Sequence, residues 1–199
     1  MTKIRFHIYI LLLFCSFNFT AHSSNFLEEE NFVTSFADSA ISILSNDTIS
    51  DAERTSSFTE LVMSSIDLNL ISKFVLSKTW KNASDDQKER YLNAFKTYFV
   101  NSYANKLNQY SGEKVKIIGS EVKGKYTIVE SNIIREGTDT LQINLKWRIL
   151  NRDGDIKIID LNIEGISLII AQREEFQSFL ANNNSDLDQL ITKLENINN

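Results

Sequence analysis

The sequence predicts an α+β fold: N-terminal helices, a four-stranded antiparallel sheet, and C-terminal helices. Three observations carry this. Apolar residues recur at helical spacing from Leu27 to about Gln109. From Lys114 strand signals replace it, and from Leu141 to Ile149 apolar and polar residues alternate, the pattern of a sheet with one buried face. Helical spacing then returns from Ser167. Helices and strands are thus segregated along the chain rather than interleaved, which distinguishes α+β from a parallel α/β arrangement.

Phe32, Val33, Phe36, Ala40, Ile43 and Leu44 form the stripe of a first amphipathic helix over about Leu27 to Leu44. Ser50-Asp51-Ala52-Glu53 is a capping box, in which the Ser hydroxyl and Glu carboxylate satisfy free backbone donors, and it opens a second helix to about Ile66. Asp67 is placed to cap a third, which presents Leu70, Ile71, Phe74 and Val75. Ser84 and Gln87 form another capping box and open the longest helix, to about Gln109, with Tyr91, Phe95, Phe99 and Leu107 along one stripe. Gly112 marks the change of pattern. Strands are predicted at Val115 to Ile118, Tyr126 to Ile134, Leu141 to Ile149 and Ile156 to Ile163. Asp153-Gly154 supplies the tight hairpin turn before the fourth, because Gly accepts positive φ. That strand leaves through Glu164-Gly165-Ile166-Ser167-Leu168 directly into a helix, and a final helix runs from Ser185 to about Asn196.

The amino terminus reads as a cleavable export signal. Lys3 and Arg5 precede an apolar run from Ile8 to Phe19, which has the length of a secretory hydrophobic region and is short for a membrane span. Ala21-His22-Ser23 offers small side chains, so cleavage is expected after Ser23, leaving residues 24–199 as a single domain. A lipoprotein signal at Cys15 is disfavoured by the bulky Phe14 before it. Losing residues 1–23 removes two basic residues and no acidic one, so the formal charge moves from −5 to −7. That balance argues against a nucleic-acid partner, which calls for a basic face. It also removes Cys15, His7 and His22, the chain's whole complement of cysteine and histidine. Cys-His and Ser-His-Asp nucleophile systems, and zinc sites with His or Cys ligands, are then excluded. Acidic pairs such as Asp51 and Glu53, Asp85 and Asp86, or Glu174 and Glu175 sit in first helical turns or on exposed faces, where they favour the helix dipole or face water. No catalytic residue, metal ligand or cofactor is expected.

The order and spacing of several segments resemble one family. Asp160, then Glu164, Gly165, Ile166, Ser167 and Leu168, then Arg173 and Phe176 match its strand, turn and helix pattern. Phe58, Leu61, Ile66, Asp67 and Ile71, then Phe74-Val75-Leu76 with Trp80, and the helix opening at Ser84 follow its upstream segments. On these residues the sequence resembles the MlaC family, the phospholipid-carrying subunits of the maintenance-of-lipid-asymmetry transport system, over roughly residues 30 to 195. Ile156 and Gln172 depart from it, where the family usually has Trp and Tyr.

The resemblance implies an apolar cavity enclosed by the helices and sheet, holding a glycerophospholipid. It implies a periplasmic carrier that shuttles lipid between an inner-membrane ABC transporter complex with its substrate-binding ring and an outer-membrane lipoprotein-porin complex. The expected wall is the long helix with Tyr91, Phe95 and Phe99, the strand face with Ile143, Leu145 and Trp147, and the next strand with Ile159, Leu161 and Ile163. Judged on periodicity alone, these stripes are ordinary core, and the chain would be a periplasmic adaptor that bridges membrane complexes without carrying lipid. A continuous apolar void toward the upper end of about 300 to 1,000 Å³ would separate the two. Trp147 is either a core residue or a pocket wall. Arg173 is read as structural or partner-contacting, with pairing to a lipid phosphate as its alternative. Asp160, mid-strand, is expected to bond nearby backbone or an Arg, and a hinge near Gly112 or Gly165 is expected to open the cavity.

Overall fold

A computed structural model describes residues 27–107, 113–135 and 142–197. The segment expected to be an export signal, Gly112, Leu141 and the expected Gln109 end of the long helix lie outside these residues. Five helices come first: α1 (Leu27–Leu44), α2 (Asp51–Ser65), α3 (Leu68–Leu76), the short α4 (Lys78–Asn82) and α5 (Asp85–Leu107). The strands β1 (Glu113–Lys123), β2 (Tyr126–Arg135), β3 (Gln142–Arg152), β4 (Asp155–Ile163) and β5 (Ile166–Ser167) follow, then α6 (Leu168–Asn182) and α7 (Leu187–Ile197).

The helix starts follow the capping chemistry. Ser50 Oγ accepts from the Glu53 N–H at 3.2 Å while Glu53 accepts from the Ser50 N–H at 2.9 Å. Ser84 and Gln87 repeat the exchange at 3.2 and 3.1 Å. Asp67 accepts from the Leu70 N–H at 2.8 Å and so caps α3. Ser77, at φ 59°, breaks the chain between α3 and α4.

The sheet is an antiparallel meander in the order β1-β2-β3-β4-β5, one strand more than the four expected. The extra strand arises because Glu164-Gly165 is not a way out of β4. Both residues have positive φ, 51° and 88°, the signature of a type I′ turn, and the chain folds back so that Ile166 pairs with Ile163. Asp153-Gly154 makes the same kind of turn between β3 and β4, at φ 52° and 93°. The Gly165 N–H also donates to Asn162 Oδ1 at 2.8 Å, which supports the turn.

Two separate apolar cores result. The helical one packs Tyr91, Phe95, Phe176, Leu190 and Leu194 between α2, α3, α5, α6 and α7. The sheet core packs Val33 of α1 against Val129, Leu145, Trp147 and Ile149. α1 lies across the sheet with its first turn pinned there: Asn151 Nδ2 donates to Glu29 Oε1 at 3.1 Å, and Ser120 Oγ to Glu30 Oε1 at 2.6 Å. At the other side, Asp188 of α7 accepts from Gln87 Nε2 at 2.8 Å and from Arg90 at 2.6 Å, tying α7 to α5.

Candidate functional site

Between the two cores the packing is incomplete and leaves a cavity of about 430 Å³. Its floor and one wall are the concave sheet face, with Val115, Ile133, Ile143, Leu145, Trp147, Leu161 and Ile163. The opposite wall is α1, through Phe36, Ala37, Ala40, Ile41 and Leu44, continued by Phe58 and Val62 of α2. Ile71, Phe99 and Ile169 close it on the helical side. The volume lies within the range of ligand pockets and far above the few small voids of a filled core, but in the lower half of that range and not near the top. Aromatic rings account for this: Phe36 and Trp147 meet edge-on across the space, with centroids 5.9 Å apart.

Six of the nine expected wall residues line the cavity: Phe99, Ile143, Leu145, Trp147, Leu161 and Ile163. Three do not. Tyr91 and Phe95 are fully buried in the helical core, where Tyr91 donates to the Ser72 carbonyl at 3.1 Å and Phe95 stacks edge-on with Phe176. The cause is helix geometry. With 3.6 residues per turn, each i to i+4 step rotates by about 40°, so Phe99 points roughly 80° away from Tyr91. Ile159 is the additional residue of a β-bulge, since Arg148 pairs with Asp160 and Ile149 with Ile158. The bulge resets the alternation, and Ile158 takes the inward place that unbroken alternation gives to Ile159.

The α1 and α2 wall was not among the expected site residues, although the α1 stripe was visible in the sequence. Its clue is Ala40 within that stripe, since a small residue on a core-facing helix leaves space that a larger side chain would fill. Only two charged side chains, Glu113 and Asp160, border the cavity among the described residues. Asp160 is committed to structure: it accepts from Ser167 Oγ at 2.7 Å and the Ile169 N–H at 3.3 Å, and faces Arg148 at 3.6 Å. It thereby reinforces the N-cap of α6. Burial raises the Tyr91 phenol well above its ordinary pKa, so it remains a protonated donor. Arg173 lies over the Phe74 ring at 5.0 Å. Among the described residues no group of His, Cys, Asp or Glu is placed to hold a metal ion, and no helix is long and apolar enough to cross a membrane.

The comparisons with known proteins agree with this architecture. The family model described as "MlaC protein" matches residues 34–196. The chain belongs to the MlaC family. A relative, the intermembrane phospholipid transport system binding protein MlaC of Haemophilus influenzae, is 27% identical over 133 residues, 65% of this chain and 61% of the relative. The aligned part of the chain therefore spans under two thirds of that MlaC protein. Among solved structures, a phospholipid-binding protein from Ralstonia solanacearum, determined in complex with a phospholipid, superposes with a TM-score of 0.71. It covers 84% of this chain and 95% of the other at 17% identity, a likeness of fold. MlaC membership thus accounts for the helix order, the meander and the helix that follows Ser167.

Proposed function

We propose that this MlaC-family protein is a soluble periplasmic carrier that takes a glycerophospholipid from one membrane complex and delivers it to another. The observation that carries this reading is the continuous apolar cavity between two otherwise well-packed cores. A phospholipid with two chains of about sixteen carbons gains roughly 0.8 kcal/mol per buried methylene, so removing it from a bilayer costs on the order of 20 kcal/mol unless a protein replaces that environment. A cavity walled by aliphatic and aromatic side chains does so without any cofactor or chemical step. The headgroup belongs at the half-buried end, near Glu113, Ile143 and Ile163, where it stays hydrated. Two full chains need more than the present volume, so the reading includes movement of the α1–α2 wall away from the sheet on loading. The carrier's partners are an inner-membrane ABC transporter complex with its substrate-binding ring and an outer-membrane lipoprotein-porin complex, in support of outer-membrane lipid asymmetry. An adaptor needs no such cavity, and because the present volume falls short of the upper end of the ligand range, lipid uptake is what separates the two readings.

A charge placed in the wall tests the reading. Leu161, opposite Trp147 in the cavity wall, is half-buried, so Leu161→Glu should fold while setting a carboxylate against the acyl chains. Uptake of fluorescent phosphatidylethanolamine from vesicles should fall at least tenfold in the variant. Equal uptake by variant and parent, or none by either, would overturn the assignment.

A further inference from the structure

The cavity is open-ended in chemistry but not in depth. On β3 the inward residues Ile143, Leu145 and Trp147 line it, whereas the next, Ile149, is fully buried in solid core. On α1 the lining stops at Phe36, and Val33, one turn earlier, is fully buried. On β2 Ile133 lines the space, whereas Ser131 and Val129 are fully buried. On β4, by contrast, Ile158, the cross-strand partner of Ile149, still lines the space, so the cavity closes earliest on the side of α1, β2 and β3, where one side chain lies at all three boundaries. The Trp147 indole donates from Nε1 to Ser131 Oγ at 2.8 Å, which draws the ring along β2, and Phe36 meets it edge-on.

We propose that the Phe36–Trp147 pair, with the indole fixed by Ser131, is the end wall of the cavity's α1 side and limits the length of the acyl chain that lies there. The inference rests on the phospholipid-carrier reading and adds a specificity element to it. The physical basis is rigidity. A ring held only by packing yields to a longer chain, whereas a ring hydrogen-bonded to a fully buried hydroxyl cannot turn aside without leaving that hydroxyl unpaired. Ser131 is accordingly a positioning residue: it acts on the ligand only through Trp147. The opposite wall is soft by comparison. Ala40, one helical turn from Phe36 toward the half-buried end, has little side chain to offer, so the space between Ala40 and Phe36 is where the last methylenes of a chain fit.

The test is competition for the protein between phosphatidylethanolamines with two 14-, 16- or 18-carbon saturated chains, offered together in vesicles, with bound lipid extracted and quantified by mass spectrometry. Each methylene excluded from the cavity lowers affinity by about fourfold, so two carbons on the one chain that reaches the wall shift a bound ratio by roughly 16-fold. Phe36→Leu deepens the cavity and should shift the 18-to-16 ratio toward the longer lipid by that amount. Ala40→Leu raises the end wall and should shift selection toward 14 carbons. Ser131→Ala should broaden the distribution toward longer chains, and Ser131→Thr, which keeps the hydroxyl, should restore the parent distribution, a pattern that mere loss of stability does not produce. Parent protein that binds all three lipids, with variants giving an unchanged distribution, would overturn the end-wall assignment and leave the carrier reading intact. Parent protein that binds none would overturn both. Should Phe36→Leu fail to fold, Ala40→Leu and Ser131→Ala, with opposite predicted shifts, still decide the matter.

Discussion

Tyr91 and Phe99 show how far apart two residues of one apparent stripe can stand. Both are aromatic and both lie on α5, two i to i+4 steps apart, yet Tyr91 is locked into the helical core and Phe99 reaches the cavity. Tyr91→Phe removes a buried donor from the Ser72 carbonyl and should cost about 1–2 kcal/mol in urea unfolding, with lipid uptake unchanged. Phe99→Ala should instead alter uptake. If Tyr91→Phe abolished uptake at full stability, the separation of core from cavity along α5 would be wrong. That rotation of about 40° per step is implicit in any helix, but its consequence depends on which direction faces which neighbour, and sequence spacing does not contain that. Ile159 was opaque for a different reason: a bulge shifts alternation by one, and no glycine or other breaker announces it.

Among the elements, the turn joining β4 to β5 sets where α6 begins. Its two positive-φ residues reverse the chain, and Ser167 and Asp160 then cap the helix, Ser167 accepting from the Ile170 N–H and Asp160 from that of Ile169. Gly165 is required by conformation, not by space, since a Cβ there meets nothing within 4 Å. Gly165→Ala should therefore destabilise by about 1–2 kcal/mol through left-handed strain alone. Gly119, which also has open space but no positive φ, is the control, and Gly119→Ala should be neutral or slightly stabilising. Equal effects at the two sites would refute the assignment of strain. The helices of this fold were legible because capping boxes and the Asp67 cap are local signals, and the Asp153-Gly154 hairpin was legible for the same reason. The Glu164 turn was harder to read, because Glu rarely occupies the first place of such a turn, and a two-residue strand is too short to show alternation.

Across the whole molecule, the two cores are joined where helices meet helices and are parted where α1 and α2 face the sheet. The α5–α7 junction is the clearest tie on the helical side, and it carries a pH dependence. Hydrogen bonds from Gln87 and Arg90 hold the Asp188 carboxyl below its ordinary pKa. A lowered folded-state value means that this contribution to stability is complete above the unfolded value near 3.8 and is lost as pH falls through the folded value. Asp188→Asn should therefore lower Tm at pH 7, and the gap to the parent should close under strongly acidic conditions; a gap constant with pH would exclude the ionic contribution. What the sequence could not contain is the size of the space between the cores, since apolar periodicity is the same for a filled core and for a cavity wall. Native mass spectrometry of the protein purified without detergent, followed by lipid extraction, tests the central claim most directly. A stoichiometric mass increment that resolves into diacyl phospholipids is the predicted result. Protein at its bare mass that also takes no phospholipid from vesicles would contradict the account.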